Sequence, residues 1–146
     1  MPSEICGRCQ VVEECYEFML AYAAQGLAGE TSNQSGTQMR EVLHRALDAL
    51  SGLADAYVTV VKDCAPDSAE KYVAFLDVLQ RDAHDSIRTI ELVVAQPTIS
   101  SQLIDNLNAS MHLRAVLTDL FLVSDIVKHI QSQRPAASAV AGWGNG

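Results

Sequence analysis

Residues 39–64 read MREVLHRALDALSGLADAYVTVVKDC, and the apolar residues in this stretch recur at alternating steps of four and three. The row consists of Met39, Leu43, Ala46, Leu50, Leu53, Tyr57, Val60 and Cys64. An unbroken heptad phase of this length is typical of a helix that buries one stripe against its neighbours in a left-handed bundle. The stretch therefore predicts an all-α fold.

Three other segments carry apolar rows of helical period. Ser3 can cap a first helix and Asp67 a third, and a fourth helical stretch covers about residues 100–130. Within the fourth, the apolar face changes sides near Asn108, so either the helix breaks there or it buries two faces. Short connections favour antiparallel neighbours, and we expect a single-domain, antiparallel up-down four-helix bundle over residues 1–133.

The carboxyl-terminal segment, residues 134–146, is rich in glycine and alanine and has no helical period. It is predicted to be a flexible tail, because chain ends without buried apolar residues are rarely held in place. Trp143 is the only tryptophan of the chain and stands between two glycines. It could either fray with the tail or serve as an aromatic anchor in a partner's pocket.

Composition and charge narrow the classes of partner. The chain has 146 residues, of which 49% are hydrophobic, so one domain can bury a core without a stabilising metal or disulfide. Its formal net charge is −8, which argues against binding to nucleic acid or to an anionic membrane. No apolar run is long enough to span a membrane, and the amino terminus lacks the pattern of a signal peptide. We expect a cytoplasmic protein with reduced thiols.

Apolar rows that a four-helix bundle does not need indicate a contact surface. The primary stripe of the first helix is predicted to contain Ile5, Cys9, Val12, Tyr16, Leu20, Ala23 and Leu27. A second row, expected to face outward, consists of Val11, Cys15, Phe18 and Tyr22, and in the fourth helix Leu107, Met111 and Leu122 are expected to face outward as well. Exposed apolar rows usually bind a protein partner or a second copy of the chain, here a twofold homodimer. The alternative is a wider bundle that buries both rows.

Thiol chemistry is the competing hypothesis. Cys6 and Cys9 form a CxxC motif at the start of the first helix, where the helix dipole and a neighbouring arginine would lower a thiol pKa. In an up-down bundle Cys64 and His129 would lie at the same end, which gives a plausible Cys₃His zinc set. Against it, Cys9 and Cys64 occupy core positions of their rows, and no strand pattern supports a thioredoxin-like role.

Two other kinds of site are disfavoured by local sequence. Glu41 and His44 have the spacing of a di-iron ligand pair, but the other three histidines have no acidic residue three positions earlier. His44 also matches the position of a phosphorylated histidine on a helical bundle, but Asp48 would repel phosphate there. The preferred interpretation is therefore a non-catalytic protein-interaction module of adaptor or chaperone type without a cofactor, and the alternative is a zinc-binding or thiol-redox bundle.

Overall fold

Six helices form the fold of the protein in a computed structural model, which describes residues 2–28, 34–64 and 69–133. The helices are α1 (Pro2–Ala24), α2 (Gln34–Ser51), α3 (Leu53–Cys64), α4 (Ala69–Val94), α5 (Ser101–Ala109) and α6 (His112–Gln133). These described ranges contain no β-strand, which confirms the all-α prediction. None of the described helices combines the length and apolarity needed to cross a membrane.

The predicted second helix is two helices, and the prediction of one continuous rod is wrong. It is interrupted at Gly52, between α2 and α3. The guanidinium group of Arg8 lies over this glycine, so that a Cβ at position 52 would be 2.6 Å from its carbon atom. Arg8 Nη1 also donates hydrogen bonds to the carbonyls of Asp48 and Ala49, both at 3.1 Å. A charged donor from α1 thus satisfies carbonyls at the end of α2 that would otherwise lack helical partners.

The heptad row nevertheless keeps its phase across the interruption. Its described side chains on both sides of Gly52 are all buried, namely Met39, Leu43, Ala46, Leu50, Leu53, Tyr57 and Val60. The prediction of the buried stripe is therefore confirmed for these residues. The side chain of Cys64 lies outside the described residues.

The predicted fourth helix is also two helices, α5 and α6, which the chain joins at Ser110 and Met111. Met111 has a backbone φ of 71°, which is a left-handed conformation. This conformation costs free energy in a residue other than glycine. Each half then buries its own face: Ile104 and Leu107 in α5, and the row from Leu113 to Val127 in α6. Of the two explanations that the sequence allowed, the break is the one found.

Side chains from distant segments hold the helix ends together. Arg40 on α2 donates to the carbonyls of Val94 at 2.7 Å and Gln96 at 3.0 Å, at the end of α4. Ser101, at the start of α5, donates to the Tyr22 carbonyl at the end of α1 and accepts a hydrogen bond from the Leu27 amide. Each of these contacts joins the amino-terminal half of one helix to the carboxyl-terminal end of another.

Candidate functional site

The row on α1 that was expected to face outward is largely buried. Cys15 and Tyr22 are completely buried, and Val11 and Phe18 are half-buried against the core. The expectation of an outward row is therefore wrong for Cys15 and Tyr22. The physical reason is that α1 packs against four helices, α2, α3, α5 and α6, and its buried stripe includes residues of both predicted rows. Leu20, which was placed on the buried stripe, is exposed instead.

The outward residues expected in the fourth helix have different positions. Leu107 is buried, so its expected exposure is wrong: the break after α5 turns its face towards the core. Met111 and Leu122 are exposed, as expected. Trp143 lies outside the described residues.

A small apolar patch on α6 is formed by Phe121 and Leu122, whose exposed fractions are 48% and 52%. By helical spacing, Thr118 and Asp125 are the neighbours of both side chains. All four residues lie outside the buried row of α6, and Thr118 and Asp125 are exposed too. The prediction of outward residues did not include Phe121, because this residue directly follows Leu120 of the buried row. The available signal for its exposure was that Phe121 lies one position outside the row of core residues from Leu113 to Val127.

Cys6 and Cys9 line one side of a groove between α1 and α6. Cys6 is exposed and Cys9 is half-buried. Burial raises the pKa of the Cys9 thiol, and the nearby Glu13 and Cys6 raise it further. Arg8 does not offset this effect, because it donates to Glu4 and to α2 carbonyls instead. The expectation that the helix start and Arg8 lower the thiol pKa is therefore wrong for Cys9.

The proposed zinc set is not brought together among the described side chains. His129 is exposed on α6 and its Nε2 lies 3.1 Å from Gln133 Nε2. It does not line the groove that contains Cys6 and Cys9. Within the described part of the chain, no three His, Cys, Asp or Glu side chains are grouped so that they could hold a metal ion. The contribution of Cys64 is untested, since its side chain is not described.

We expect the reactivity of Cys6, Cys9 and Cys15 to follow the burial of their thiol groups. At pH 8 a thiol reagent such as Ellman's reagent should modify Cys6 quickly, Cys9 more slowly and Cys15 only after unfolding. Burial raises the pKa of Cys15 to about 12, so it offers almost no thiolate in the folded protein. Peptide mapping after a timed reaction would identify each cysteine. Fast labelling of Cys9 at pH 7, with Cys6→Ser as the control variant, would instead support the thiol-redox alternative.

Two carboxyl groups meet between α4 and α6. Asp119 on α6 lies close enough to Asp82 on α4 for the two carboxyl groups to interact. Burial and the neighbouring Asp82 raise the pKa of Asp119 to about 7. The Oδ2 atom of Asp119 is buried and accepts no hydrogen bond from a described donor, as expected for an oxygen that faces another carboxyl group. The Asp119 carboxyl group can therefore hold a proton up to near neutral pH.

A half-open apolar cavity of about 210 Å³ lies between α3, α4 and α6. Eleven side chains line it: Tyr57, Val60, Val61, Lys71, Tyr72, Phe75, Leu122, Val123, Ile126, Val127 and Ile130. The rings of Tyr57 and Phe75 pack edge to face with their centroids 6.0 Å apart. No sequence motif predicted this cavity, because its walls come from three helices that are distant in sequence.

Comparison of the chain with protein-family models, with curated proteins and with solved structures gives no match in any of the three. Its function must therefore be inferred from the residues and the geometry described above.

Proposed function

We propose that this chain is a non-catalytic protein-interaction module that self-associates through the outward face of α6. The observation that supports the proposal is the pair of adjacent, half-exposed apolar side chains Phe121 and Leu122. Large apolar residues that are neighbours on an otherwise acidic surface usually mark a contact between proteins. The proposed surface therefore includes Leu122 and Met111, which are exposed as predicted. It does not include the predicted row on α1, because Cys15 and Tyr22 are buried.

A second copy of the chain suits this face because the pattern of residues is self-complementary. Arg114, Thr118, Phe121 and Asp125 are exposed and follow each other at steps of four, three and four. Under a twofold axis through the middle of this row, two antiparallel α6 helices would place Arg114 of one copy opposite Asp125 of the other. Thr118 would face Phe121 in the same arrangement. Opposite charges at both ends of an apolar centre favour this register over a shifted one.

The proposed module is built from four antiparallel rods: α1, the interrupted pair α2–α3, α4, and the interrupted pair α5–α6. The antiparallel contacts at Arg8, Arg40 and Ser101 support this up-down arrangement. In this proposal the chain works in the cytoplasm, and Trp143, which lies outside the described residues, contacts a partner protein. The zinc-binding or thiol-redox alternative is weaker because burial raises the Cys9 pKa instead of lowering it.

A charge placed in the apolar patch should prevent self-association. We expect Phe121→Glu to shift the mass measured by sedimentation equilibrium from that of a dimer towards the 15.8 kDa of one chain. The dissociation constant should rise about tenfold or more, because the carboxylate would lose its water in the contact. Leu92→Glu is the matched control: Leu92 is 65% exposed on α4, and this substitution should leave the mass unchanged.

Charge exchange tests the register of the proposed dimer. Arg114→Asp and Asp125→Arg should each weaken self-association about threefold or more, because each places like charges opposite each other in the proposed contact. The double variant Arg114→Asp, Asp125→Arg should restore the wild-type dissociation constant to within about twofold. A wild-type protein that sediments as one chain up to millimolar concentration would refute self-association. Additive losses in the double variant would refute this register.

A further inference from the structure

The cavity between α3, α4 and α6 is apolar except for a few polar or charged side chains. Its walls are apolar apart from the two tyrosines and Lys71, which is the single charged residue among the eleven that line it. The hydroxyl of Tyr57 donates a hydrogen bond of 2.7 Å to the carbonyl of Tyr72, so these two polar groups satisfy each other. Lys71 is the lining residue whose side chain can bring a positive charge to a ligand in this cavity.

Lys71 stands out in a chain with 18 acidic and ten basic residues. It is exposed and forms no ion pair within 4 Å with the described acidic residues. Among the described residues no aspartate or glutamate lines the cavity, although Glu70 lies in the same first turn of α4. Since Lys71 is also in that first turn, the positive end of the α4 dipole adds to its attraction for an anion. An apolar chamber thus opens beside a positive charge on an acidic protein.

From this arrangement we propose that the cavity binds a small amphipathic carboxylate, with its apolar body between α4 and α6 and its carboxylate beside Lys71. An apolar cavity of about 150 Å³ is sufficient for a guest of the size of benzene. The 210 Å³ available here therefore fits a short alkyl chain or a substituted single ring. A ligand with a second charge would fit poorly, because Lys71 is the single charged residue among the eleven described residues that line the cavity.

Octanoate and 1-octanol provide the direct test, because they share an alkyl chain and differ in charge. Titration calorimetry on the full-length protein should show saturable binding of both, with octanoate bound about three- to fivefold more tightly. Lys71→Gln should remove this difference and leave the octanol affinity unchanged. Lys62→Gln is the matched control, because Lys62 is exposed and lines the neighbouring groove between α3 and α4 but not the cavity.

A second variant tests the site itself. Ile126 is half-buried and lines the cavity, so Ile126→Trp should fill part of the space and weaken both ligands about tenfold. Phe121→Glu should leave octanoate binding unchanged, which separates this proposal from the proposed dimer. If Ile126→Trp unfolds the chain, as circular dichroism would show, the comparison of Lys71→Gln with Lys62→Gln still tests whether the carboxylate binds beside Lys71.

Three results would overturn the proposal. The first is the absence of saturable octanoate binding, and the second is an equal affinity for octanoate and octanol in the wild-type protein. The third is a clear gain in octanoate affinity in Trp143→Ala, which would assign the cavity to the chain's own carboxyl-terminal segment. Unchanged affinity in Trp143→Ala, together with a loss confined to Lys71→Gln, supports the carboxylate site.

Discussion

Replacing Tyr22 with alanine is expected to lower the free energy of unfolding by about 3 to 5 kcal/mol, the usual cost of truncating a large aromatic side chain in a core. Tyr22 is completely buried, and its hydroxyl donates a hydrogen bond to the carbonyl of Ile99. Its own carbonyl accepts from Ser101 Oγ at 2.6 Å. The side chain thus connects the end of α1 to the chain that enters α5, and its loss leaves a cavity at that junction.

Urea unfolding followed by circular dichroism would measure this loss. Phe18→Ala is the matched control: Phe18 belongs to the same sequence row but is only half-buried. We expect it to cost about 1 to 2 kcal/mol, because less apolar surface leaves the core. Tyr22→Phe should fall between the wild type and Tyr22→Ala, with a loss of about 1 kcal/mol for one hydrogen bond. Equal losses in Tyr22→Ala and Phe18→Ala would contradict the burial described for α1.

The Asp82–Asp119 pair is expected to make the protein less stable as the pH rises from 5 to 8. The pKa of Asp119 is about 7 in the folded chain, against an ordinary value of 3.8. The folded state therefore binds one proton more than the unfolded state between these two values, and stability falls with rising pH through that window. The contribution is complete below pH 4 and is lost above pH 7. A shift of this size corresponds to at most about 4 kcal/mol. We expect about 1 to 2 kcal/mol, because the carboxyl group is partly exposed and water screens it.

Asp119→Asn tests this expectation without removing the hydrogen bond, since an amide can donate to Asp82 at any pH. The free energy of unfolding of this variant should equal that of the wild type at pH 4 and exceed it at pH 8. The difference between the two proteins therefore grows with pH. Asp77→Asn, an exposed change on α4, is the control variant and should show no such difference. A wild-type pH profile that runs parallel to that of Asp119→Asn would show that the two carboxyl groups do not share a proton.

The part of the fold that could be predicted from sequence is the part that local periodicity controls. The row from Met39 to Val60 is buried as predicted, and the change of face near Asn108 is a helix break two to three residues later, at Ser110 and Met111. Heptad spacing reports which positions share a face of a helix. The spacing keeps its phase across Gly52, so it could not reveal that the helix is interrupted there or that Arg8 of another segment lies against this glycine.

The candidate sites depended on information that spacing does not contain. On α1 the two competing rows were both apolar, and only the neighbours of the helix decided that Tyr22 is buried and Leu20 exposed. Asp82 and Asp119 look like ordinary surface acids in sequence, and the packing of α4 on α6 makes them a pair. The cavity beside Lys71 likewise exists only where three helices meet.

By itself the sequence determined that this chain is helical, which residues of α2 and α3 share the core, and that its formal net charge is −8. The tertiary structure alone decided which face of α1 is buried, which carboxyl groups lie close together and where an apolar cavity opens. The physical reason is that periodicity is a property of neighbouring residues on one helix. The direction of a face, its burial and its pKa values depend on side chains that the fold brings from distant parts of the chain.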